Sequence, residues 1–373
     1  MRILYVFRSL AYWGGIERIL VDKMNYLVTM YGYEVYMLTT DQGNHPVPYQ
    51  LEPEVHLEDL DIRFHQQYRY RIFKRIMVAK RLERLFKKRL SVRLHEIQPD
   101  VIVCTTANYV DLNILVKLRG NIPLVVESHS ICRRTLGQNG LRNRYADYMY
   151  RKALSKAQAI VALTEGDAVE WRKELQIVCV IPNMVHLNEG AVSSLDNKRV
   201  IWVGRFDYQK RPMEIIKIWQ KVYPMFPDWY LDIYGEGELQ HELEEGTKSL
   251  NMNILIHKPT DTIFDCYRKS SILVSTSLFE PFGLVIPEAM SCGLPVVAYN
   301  SPFGPASILS DGQDGFFVEK DDQEMMAEKM CLLMGDATLR IKMGGAALKS
   351  SFRYSAEIIM PLWKNLFISV LSS

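Results

Sequence analysis

Short, continuous apolar runs alternate with helical patterns along almost the whole chain of 373 residues. Strands that are apolar at every position, not at every second one, are typical of parallel sheets buried on both faces. A helix after each strand is the repeating unit of a doubly wound α/β fold. The predicted strands are Arg2–Phe7, Glu34–Thr40, Val101–Thr105, Leu124–Glu127, Ala159–Thr164, Val178–Pro182, Arg199–Gly204, Tyr230–Tyr234, Asn253–His257, Ile272–Thr276, Val296–Tyr299 and Gly315–Val318.

A polar stretch over residues 186–198 interrupts this series after its sixth strand. A chain of this length also exceeds what one hydrophobic core usually serves, so two domains are expected. We therefore predict a Rossmann-like domain over residues 1–185, a linker over 186–198 and a second Rossmann-like domain over 199–353. Both domains belong to the α/β class.

Composition is that of a globular protein, with 48% hydrophobic residues, 24% charged residues and a net charge of +2. The six cysteines form no CxxC pair, which argues against a zinc site or a disulfide scaffold and predicts a cytoplasmic location. The apolar run at the N-terminus is short and is interrupted by Arg8, which indicates a first buried strand instead of a signal peptide. No apolar run reaches the roughly 20 residues of a membrane span.

Two glutamates, Glu280 and Glu288, enclose a Pro-Phe-Gly turn and the start of a helix that is expected to end at Gly293. The helix follows a predicted strand, so its N-terminus lies at the carboxyl edge of the sheet. Backbone N–H groups and the helix dipole favour an anion there. Carboxylates beside that position are suited to hold hydroxyl groups. The stretch therefore predicts a site for a sugar carried on a phosphate.

Cations follow the first strand of the predicted second domain. Arg205 comes directly after the strand, and Lys210 precedes a helix that carries Pro212 in its first turn. Two cations near a helix start suit a diphosphate, but an ordinary basic surface loop has the same pattern. Gly235 follows the next strand in a Gly-Glu-Gly turn, where a tight turn and a ligand contact both remain open.

Two features of the first domain also lie where doubly wound folds bind ligands. Gly14 and Gly15 join the first strand to a helix and permit close approach of a ligand to the backbone, although many tight turns have the same residues. His129 follows the strand at Leu124–Glu127, at the carboxyl edge of the sheet. A structural role for this histidine remains the alternative.

The strongest charge anomaly spans residues 63–93, with twelve Lys and Arg residues and one acid, Glu83. Apolar residues recur among the bases at roughly helical spacing, and several aromatic residues precede them. Three interpretations remain open: contact with an anionic membrane surface, a solvated face whose apolar stripe packs on its own domain, and nucleic-acid binding. No zinc-finger or RNP pattern supports the last of these, so we predict no nucleic-acid partner.

Taken together, the motifs resemble glycosyltransferase family 4, the large retaining family of the GT-B fold. The matching segments are the Gly-Gly-Ile-Glu-Arg turn at residues 14–18, residues 204–211, the turn at residues 235–237 and, above all, residues 280–298, which fit the E-x7-E motif of the family. The resemblance covers nearly the whole chain. It implies two facing Rossmann-like domains with a cleft between them, the first for the acceptor and the second for a nucleotide-sugar.

The resemblance also implies roles for individual residues. Glu280 would hold hydroxyls of the donor sugar, Glu288 the ribose hydroxyls, and His129 would face the donor sugar. Lys210 and Arg205 would neutralise the diphosphate, which the backbone of residues 282–284 would cradle. The donor-binding set is Gly14, Gly15, Arg205, Lys210, Gly235, Phe282, Gly283, Leu284 and Glu288. The C-terminal helix, residues 354–371, would pack back onto the first domain.

The expected activity is that of a hexosyltransferase that moves a hexose or N-acetylhexosamine onto a glycan or a polyprenyl-linked glycan, without a cofactor or a metal. The stretch from Tyr299 to Ala306 resembles members that use UDP-sugars and build surface polysaccharides, which favours UDP over GDP. A GDP-mannose-using mannosyltransferase and a sugar-nucleotide epimerase or phosphorylase are the alternatives. With a lipid-linked acceptor, the basic segment would place the protein at the inner face of the cytoplasmic membrane.

Retention of the anomeric configuration by a two-carboxylate mechanism would require a nucleophilic acid about 5 Å from the acid/base residue. Glu280 and Glu288 are separated by a turn and part of a helix, so they are poor candidates for such a pair. We predict instead same-face attack by the acceptor hydroxyl, assisted by the leaving diphosphate, with Glu280 as a positioning residue. The resemblance implies that His129 lies near the reaction centre.

Overall fold

The computed structural model describes residues 1–105, 109–132, 141–301 and 303–372, apart from the side chains of residues 109, 110, 141–144 and 146. The chain divides into two compact units. The first comprises Met1–Met184 with Ile359–Ser373, and the second comprises Val185–Ile358. Among the described residues, no helix combines the length and the apolar character that crossing a bilayer requires.

The first unit contains a seven-stranded parallel sheet with the order β3-β2-β1-β4-β5-β6-β7. Its strands are β1 (Arg2–Phe7), β2 (Glu34–Thr39), β3 (Val55–Asp59), β4 (Val101–Cys104), β5 (Leu124–Glu127), β6 (Ala159–Ala162) and β7 (Val178–Val180). Its described helices are α1 (Gly15–Tyr31), α2 (Ile72–Ile97), α3 (Tyr109–Leu118), α4 (Leu141–Leu154) and α5 (Glu165–Arg172), with a short 3₁₀ helix at Phe64–Arg69.

The second unit contains a six-stranded parallel sheet with the order β10-β9-β8-β11-β12-β13. Its strands are β8 (Arg199–Val203), β9 (Tyr230–Tyr234), β10 (Ile254–His257), β11 (Ile272–Ser275), β12 (Val296–Tyr299) and β13 (Gly315–Val318). Its helices are α6 (Pro212–Val222), α7 (Gln240–Lys248), α8 (Ile263–Arg268), α9 (Val285–Ser291), α10 (Gly304–Ile308), α11 (Gln323–Gly335) and α12 (Ala337–Ser351). The final helix is α13 (Ala356–Leu371).

The predicted α/β class with two parallel sheets is confirmed, and all twelve predicted strands are present within a few residues of their expected bounds. Strands β4, β5, β6, β11 and β12 are buried at every position, which explains their continuous apolar sequences. The prediction missed β3. This strand lies at the sheet edge and carries His56, Glu58 and Asp59 on partly solvated positions, so it lacks a continuous apolar run.

Residues 186–198, predicted as a linker, are part of the second unit, and hydrogen bonds join them to the rest of it. The backbone N–H of Asn188 donates to Ser291 Oγ at 2.9 Å, and the N–H of Ser193 donates to the carbonyl of Cys292 at 2.8 Å. The polar residues of this stretch therefore make hydrogen bonds with the second unit.

Helix α13 joins the first unit from Ile359 onward. Its buried residues recur on one face at helical spacing, and they are Ile359, Met360, Trp363, Phe367 and Val370. This apolar face carries Trp363, whose ring is one wall of the site described below.

Candidate functional site

The sheet of the second unit reverses its strand order between β8 and β11, which are hydrogen-bonded neighbours. In open α/β sheets, ligands bind beyond the carboxyl ends of the strands at such a reversal. The turn after β8 carries Arg205 and Lys210, and the turn after β11 carries Glu280. The strand order therefore brings two of the predicted motifs to one place.

The two turns are held together by hydrogen bonds. The backbone N–H of Leu278 donates to the carbonyl of Gln209 at 2.8 Å, and Gln209 Nε2 donates to the carbonyl of Phe279 at 3.1 Å. Lys210 is fixed from its own side, since its backbone N–H donates to Asp207 Oδ1 at 2.9 Å. The position of Lys210 relative to the second turn is therefore set by backbone contacts.

Lys210 Nζ forms an ion pair with Glu280 Oε1. The Glu280 residue is only 5% exposed, and the Lys210 side chain is 15% exposed. A paired cation and carboxylate with little access to water interact more strongly than a surface pair, because they are less screened. The pair places a positive charge and a carboxylate side by side.

The turn between Glu280 and α9 depends on two glycines. Gly283 has a φ of +95°, which a side chain would strain. Gly304 lies against the same turn, where a Cβ would be 2.3 Å from the carbonyl oxygen of Phe282. Among the described residues, none accepts a hydrogen bond from the backbone N–H of Phe282, Gly283 or Leu284. Consecutive free N–H groups at a helix start are suited to hold an anion.

Glu288 lies within α9 and is 6% exposed. Tyr267 OH donates to Glu288 Oε2 at 3.3 Å, so the fully buried ring of Tyr267 supports the carboxylate. The two predicted glutamates thus differ in their partners, because Glu280 is held by a lysine and Glu288 by a phenol.

Arg205 and Gly235 occupy different surroundings from Lys210. The Arg205 side chain is 70% exposed, and its Nη2 is 3.1 Å from Asp207 Oδ2. A Cβ at Gly235 would be 1.9 Å from the carbonyl oxygen of Gly204, so this glycine is required by the contact between two turns. Both residues lie on loops at the carboxyl edge of the sheet, but neither is as enclosed as Lys210.

The first unit carries the other predicted residues. Gly14 precedes α1 with an extended φ of −122° and receives a hydrogen bond from Tyr49 OH to its carbonyl at 3.1 Å. Gly15 is the first residue of α1. His129 follows β5, and its side chain is only 8% exposed. Glu127 is the last residue of β5, and its Oε2 is 3.4 Å from His129 Nε2.

A buried charged cluster lies directly behind His129. Lys23 Nζ forms an ion pair with Glu127 Oε1 and lies 3.9 Å from the centroid of the Trp363 ring. Both charged side chains are at most 3% exposed. A small cavity of about 10 Å³, which has room for about one water molecule, is bounded by Lys23, Glu127, His129, Asn183 and Trp363.

Burial determines the charge state of these groups. It lowers the pKa of His129 to about 3, and the neighbouring Lys23 ammonium adds to that effect. Burial also lowers the pKa of Lys23, whereas the Glu127 carboxylate and the face of Trp363 favour its charged form. The His129 ring is therefore neutral near pH 7 and is suited to exchange hydrogen bonds with a hydroxyl group.

The prediction missed Lys23, Glu127 and Trp363 as members of this cluster. One signal was present for Lys23. It lies on the apolar stripe of α1, four residues after Ile19 and four before Leu27, where a charged residue requires a buried partner. No comparable signal identified Trp363, because an aromatic residue on an apolar helical face is usual.

Comparison with known proteins gives a consistent result for both units. A model of the glycosyl transferases group 1 matches residues 189–350, and a model of glycosyltransferase family 4 matches residues 13–189. An uncharacterized glycosyltransferase of Haemophilus influenzae is 26% identical over 362 residues, which cover 95% of this chain and 96% of the relative.

A second relative, from Campylobacter jejuni, is 24% identical over 378 residues that cover 99% of each chain. Its name is GalNAc-α-(1→4)-GalNAc-α-(1→3)-diNAcBac-PP-undecaprenol α-1,4-N-acetyl-D-galactosaminyltransferase. Among solved structures, a Staphylococcus aureus TarM variant in complex with fondaparinux, α-GlcNAc-glycerol and UDP superposes with a TM-score of 0.79. At 16% identity over 98% of this chain and 100% of the other, this likeness shows the GT-B fold alone.

Proposed function

Because the chain belongs to the group 1 and family 4 glycosyltransferases, we propose that it transfers a hexose or N-acetylhexosamine from a UDP-sugar to a hydroxyl group of a glycan or a polyprenyl-linked glycan. The product would belong to a bacterial polysaccharide. The name of the Campylobacter jejuni relative, which acts on an undecaprenol-linked glycan, and the UDP in the TarM complex support these choices of acceptor and donor.

One observation carries the proposal. The backbone N–H groups of residues 282–284, which have no acceptor in the described part of the chain, lie at the start of α9, and the Lys210–Glu280 ion pair lies at the same turn. Cation and N–H donors together suit the diphosphate, and the carboxylate suits the hydroxyls of the sugar attached to it. A site with both functions at one turn fits a nucleotide-sugar better than a simple phosphate or a free sugar.

Each remaining residue is assigned one contact with the donor. Glu288 holds the ribose hydroxyls, and Arg205 adds a mobile cation for the diphosphate from its exposed loop. Gly14, Gly15 and Gly235 allow close approach of the backbone to the ligand. His129, as a neutral ring, exchanges hydrogen bonds with hydroxyls of the donor sugar.

The proposed reaction retains the anomeric configuration. The bond between the sugar and the β-phosphate oxygen breaks, and the acceptor oxygen forms its new bond on the same face. The hydroxyl proton passes to the departing phosphate oxygen. Negative charge develops on the diphosphate, where Lys210, Arg205 and the N–H groups of residues 282–284 stabilise it. Each such donor is typically worth about 3 kcal/mol.

Release of the nucleoside diphosphate from a panel of UDP-, GDP- and ADP-sugars, with and without glycan acceptors, tests the proposal. The expected result is acceptor-dependent release from a UDP-sugar and a product of unchanged anomeric configuration by NMR. Release should persist in EDTA, since no metal has a role here. A GDP-sugar preference would make the protein a mannosyltransferase candidate. Conversion of the nucleotide-sugar without acceptor, to an isomer or a sugar phosphate, would contradict glycosyl transfer.

We also propose that the protein works in the cytoplasm at the inner face of the cytoplasmic membrane. A polyprenyl-linked acceptor is confined to a bilayer, so an enzyme acting on it gains from being held at the same surface. The first unit contains a segment suited to this role.

A further inference from the structure

Helix α2 consists of two halves with different surroundings. In the second half, Leu82, Phe86, Leu90, Leu94 and Ile97 are buried and belong to the core of the first unit. Arg63, Arg89 and Arg93 near this half pair with carboxylates of residues 58–61. This part of the basic segment is therefore an ordinary packed helix, as one of the three initial interpretations expected.

The first half of α2 and the residues before it are different. Their large apolar side chains are exposed to solvent, with Phe73 at 87%. The group comprises Tyr68, Tyr70, Ile72, Phe73, Ile76 and Met77, and we call it the exposed tip. Such a cluster of exposed aromatic and aliphatic side chains on one element is unusual for a surface that faces only water.

The exposed tip is surrounded by cations without acidic partners. Of the twelve Lys and Arg residues at 63–93, three make the ion pairs given above. None of the other nine lies within ion-pair distance of a carboxylate in the described part of the chain. Lys74 and Arg75 lie over the rings of Tyr70 and Tyr68. The nine are Arg69, Arg71, Lys74, Arg75, Lys80, Arg81, Arg84, Lys87 and Lys88.

The exposed tip does not simply prolong the buried stripe of the second half. At 3.6 residues per turn, Ile72 and Ile76 lie in line with the buried Leu90 and Leu94, five turns further along, whereas Phe73 and Met77 lie about a quarter turn away from that line. In the first half of α2, Val78 is the residue that faces inward, because it packs on the core of the first unit. The face of the tip continues along the helix as Lys80, Arg84 and Lys87. One outward face is thus apolar at its beginning and basic beyond it.

We propose that the exposed tip and the basic face behind it form a docking surface for an anionic lipid bilayer. The apolar side chains enter the interface between headgroups and acyl chains, while the cations contact phosphate headgroups. Nucleic acid offers the same phosphate charge, but it gives no apolar environment for Ile72, Ile76 and Met77. Charge complementarity together with the aliphatic residues therefore selects a bilayer.

The docking surface is inferred from exposed and charged residues of the first unit alone. Its role in bringing the enzyme to a lipid-linked acceptor rests on the proposed function. Its test needs no sugar. Purified protein is sedimented with vesicles of phosphatidylcholine alone or with added phosphatidylglycerol, at about 50 mM salt, where charge attraction acts over a longer range than at physiological salt. Binding to the anionic vesicles and weak binding to the neutral ones are expected.

Three variants separate the contributions. F73S/I76S/M77S is expected to lower vesicle binding at least about tenfold at low and high salt, because it removes the apolar side chains that would enter the bilayer. K80E/R84E/K87E is expected to abolish the preference for phosphatidylglycerol. The matched control M225S/I341S/F352S removes the same three residue types from exposed positions of the second unit and should bind as the wild type does.

Failure of the wild type to bind anionic vesicles, or full binding by F73S/I76S/M77S, would overturn the proposal. So would binding to a DNA or RNA duplex that exceeds vesicle binding and is unaffected by that triple variant. The shift in melting temperature caused by UDP is measured on the same samples. An intact UDP shift without vesicle binding contradicts only the docking surface, and vesicle binding without a UDP shift contradicts only the proposed donor.

Discussion

Lys210 and Glu280 form an ion pair although they are 70 positions apart in the chain and belong to different turns. The carboxylate of Glu280 orients the cation of Lys210. A donor diphosphate would share a lysine that is held in place, and the sugar beside it would meet the carboxylate that holds the lysine. Preorganisation of this kind avoids a reorganisation cost when charge develops.

Glu280→Gln keeps the size of the side chain but removes the charge that holds Lys210 and that, in the proposed function, binds sugar hydroxyls. We expect kcat/KM for the UDP-sugar to fall by about 10²-fold or more, the usual consequence of losing one charged contact at a reaction centre. The affinity for UDP alone should change much less, since UDP lacks the sugar. Near-normal turnover by Glu280→Gln or Glu280→Ala would contradict the assigned role.

Glu288→Gln should weaken the proposed contact with the ribose. Hydrogen bonds to charged groups contribute about 1.5–3 kcal/mol, so UDP affinity is expected to decrease by roughly tenfold or more. The wild type should bind UDP more tightly than 2′-deoxy-UDP, and the variant should have lost most of that difference. Tyr267→Phe is the control, because it removes the phenol beside Glu288 and leaves the carboxylate. Equal discrimination by Glu288→Gln and wild type would argue against the ribose contact.

The Lys23–Glu127 pair predicts strong coupling in stability. Lys23→Met or Glu127→Gln each leaves one buried partner uncompensated, which typically costs about 3–5 kcal/mol. The double variant should lose clearly less than the sum of the two single losses. Urea unfolding of the four proteins measures this cycle. Additive losses would show that the two side chains do not interact as the structure places them.

Asp111 on α3 predicts a pH-dependent stability. Its carboxyl is buried, its Oδ1 has no hydrogen-bond partner among the residues that the structure describes, and burial raises its pKa to about 7. The folded protein keeps this proton up to about pH 7, whereas the unfolded chain releases it near its ordinary pKa of 3.8. This group therefore makes the fold less stable as pH rises from about 4 to 7.

Asp111→Asn removes that dependence. At pH 8 the variant should be more stable than the wild type by on the order of 2–4 kcal/mol, and the difference should shrink toward pH 4. His129 acts in the opposite direction, because its pKa of about 3 means that stability is lost as pH falls below about 6.5. This loss of stability at low pH should remain in Asp111→Asn. A difference that is the same at pH 5 and pH 8 would contradict the raised pKa.

The buried strands could be predicted from sequence because burial on both faces requires apolar residues at every position. The edge strand β3 could not, since partial solvation allows His56, Glu58 and Asp59 within it. The segment at residues 186–198 looked like a linker because a stretch that hydrogen-bonds to the surface of a domain has the same polar composition as a free connection.

The candidate site could likewise be predicted from sequence only in part. The turn around Gly283 and its two glutamates are local features, and their residue types predicted a ligand for the site. The partners of those residues are not local. Lys210 reaches Glu280 through the strand order β8–β11, and Trp363 reaches Lys23 through a helix 340 positions further along the chain. Only the three-dimensional arrangement shows which charges are paired.

The central claim is that Lys210 and the N–H groups of residues 282–284 hold a nucleoside diphosphate. Calorimetric titration with UDP and UMP tests it most directly. The wild type should bind UDP at least about tenfold more tightly than UMP, because the second phosphate adds charged hydrogen bonds. In Lys210→Met most of that difference should disappear. Equal binding of UDP and UMP by the wild type, or an unchanged difference in Lys210→Met, would contradict the account.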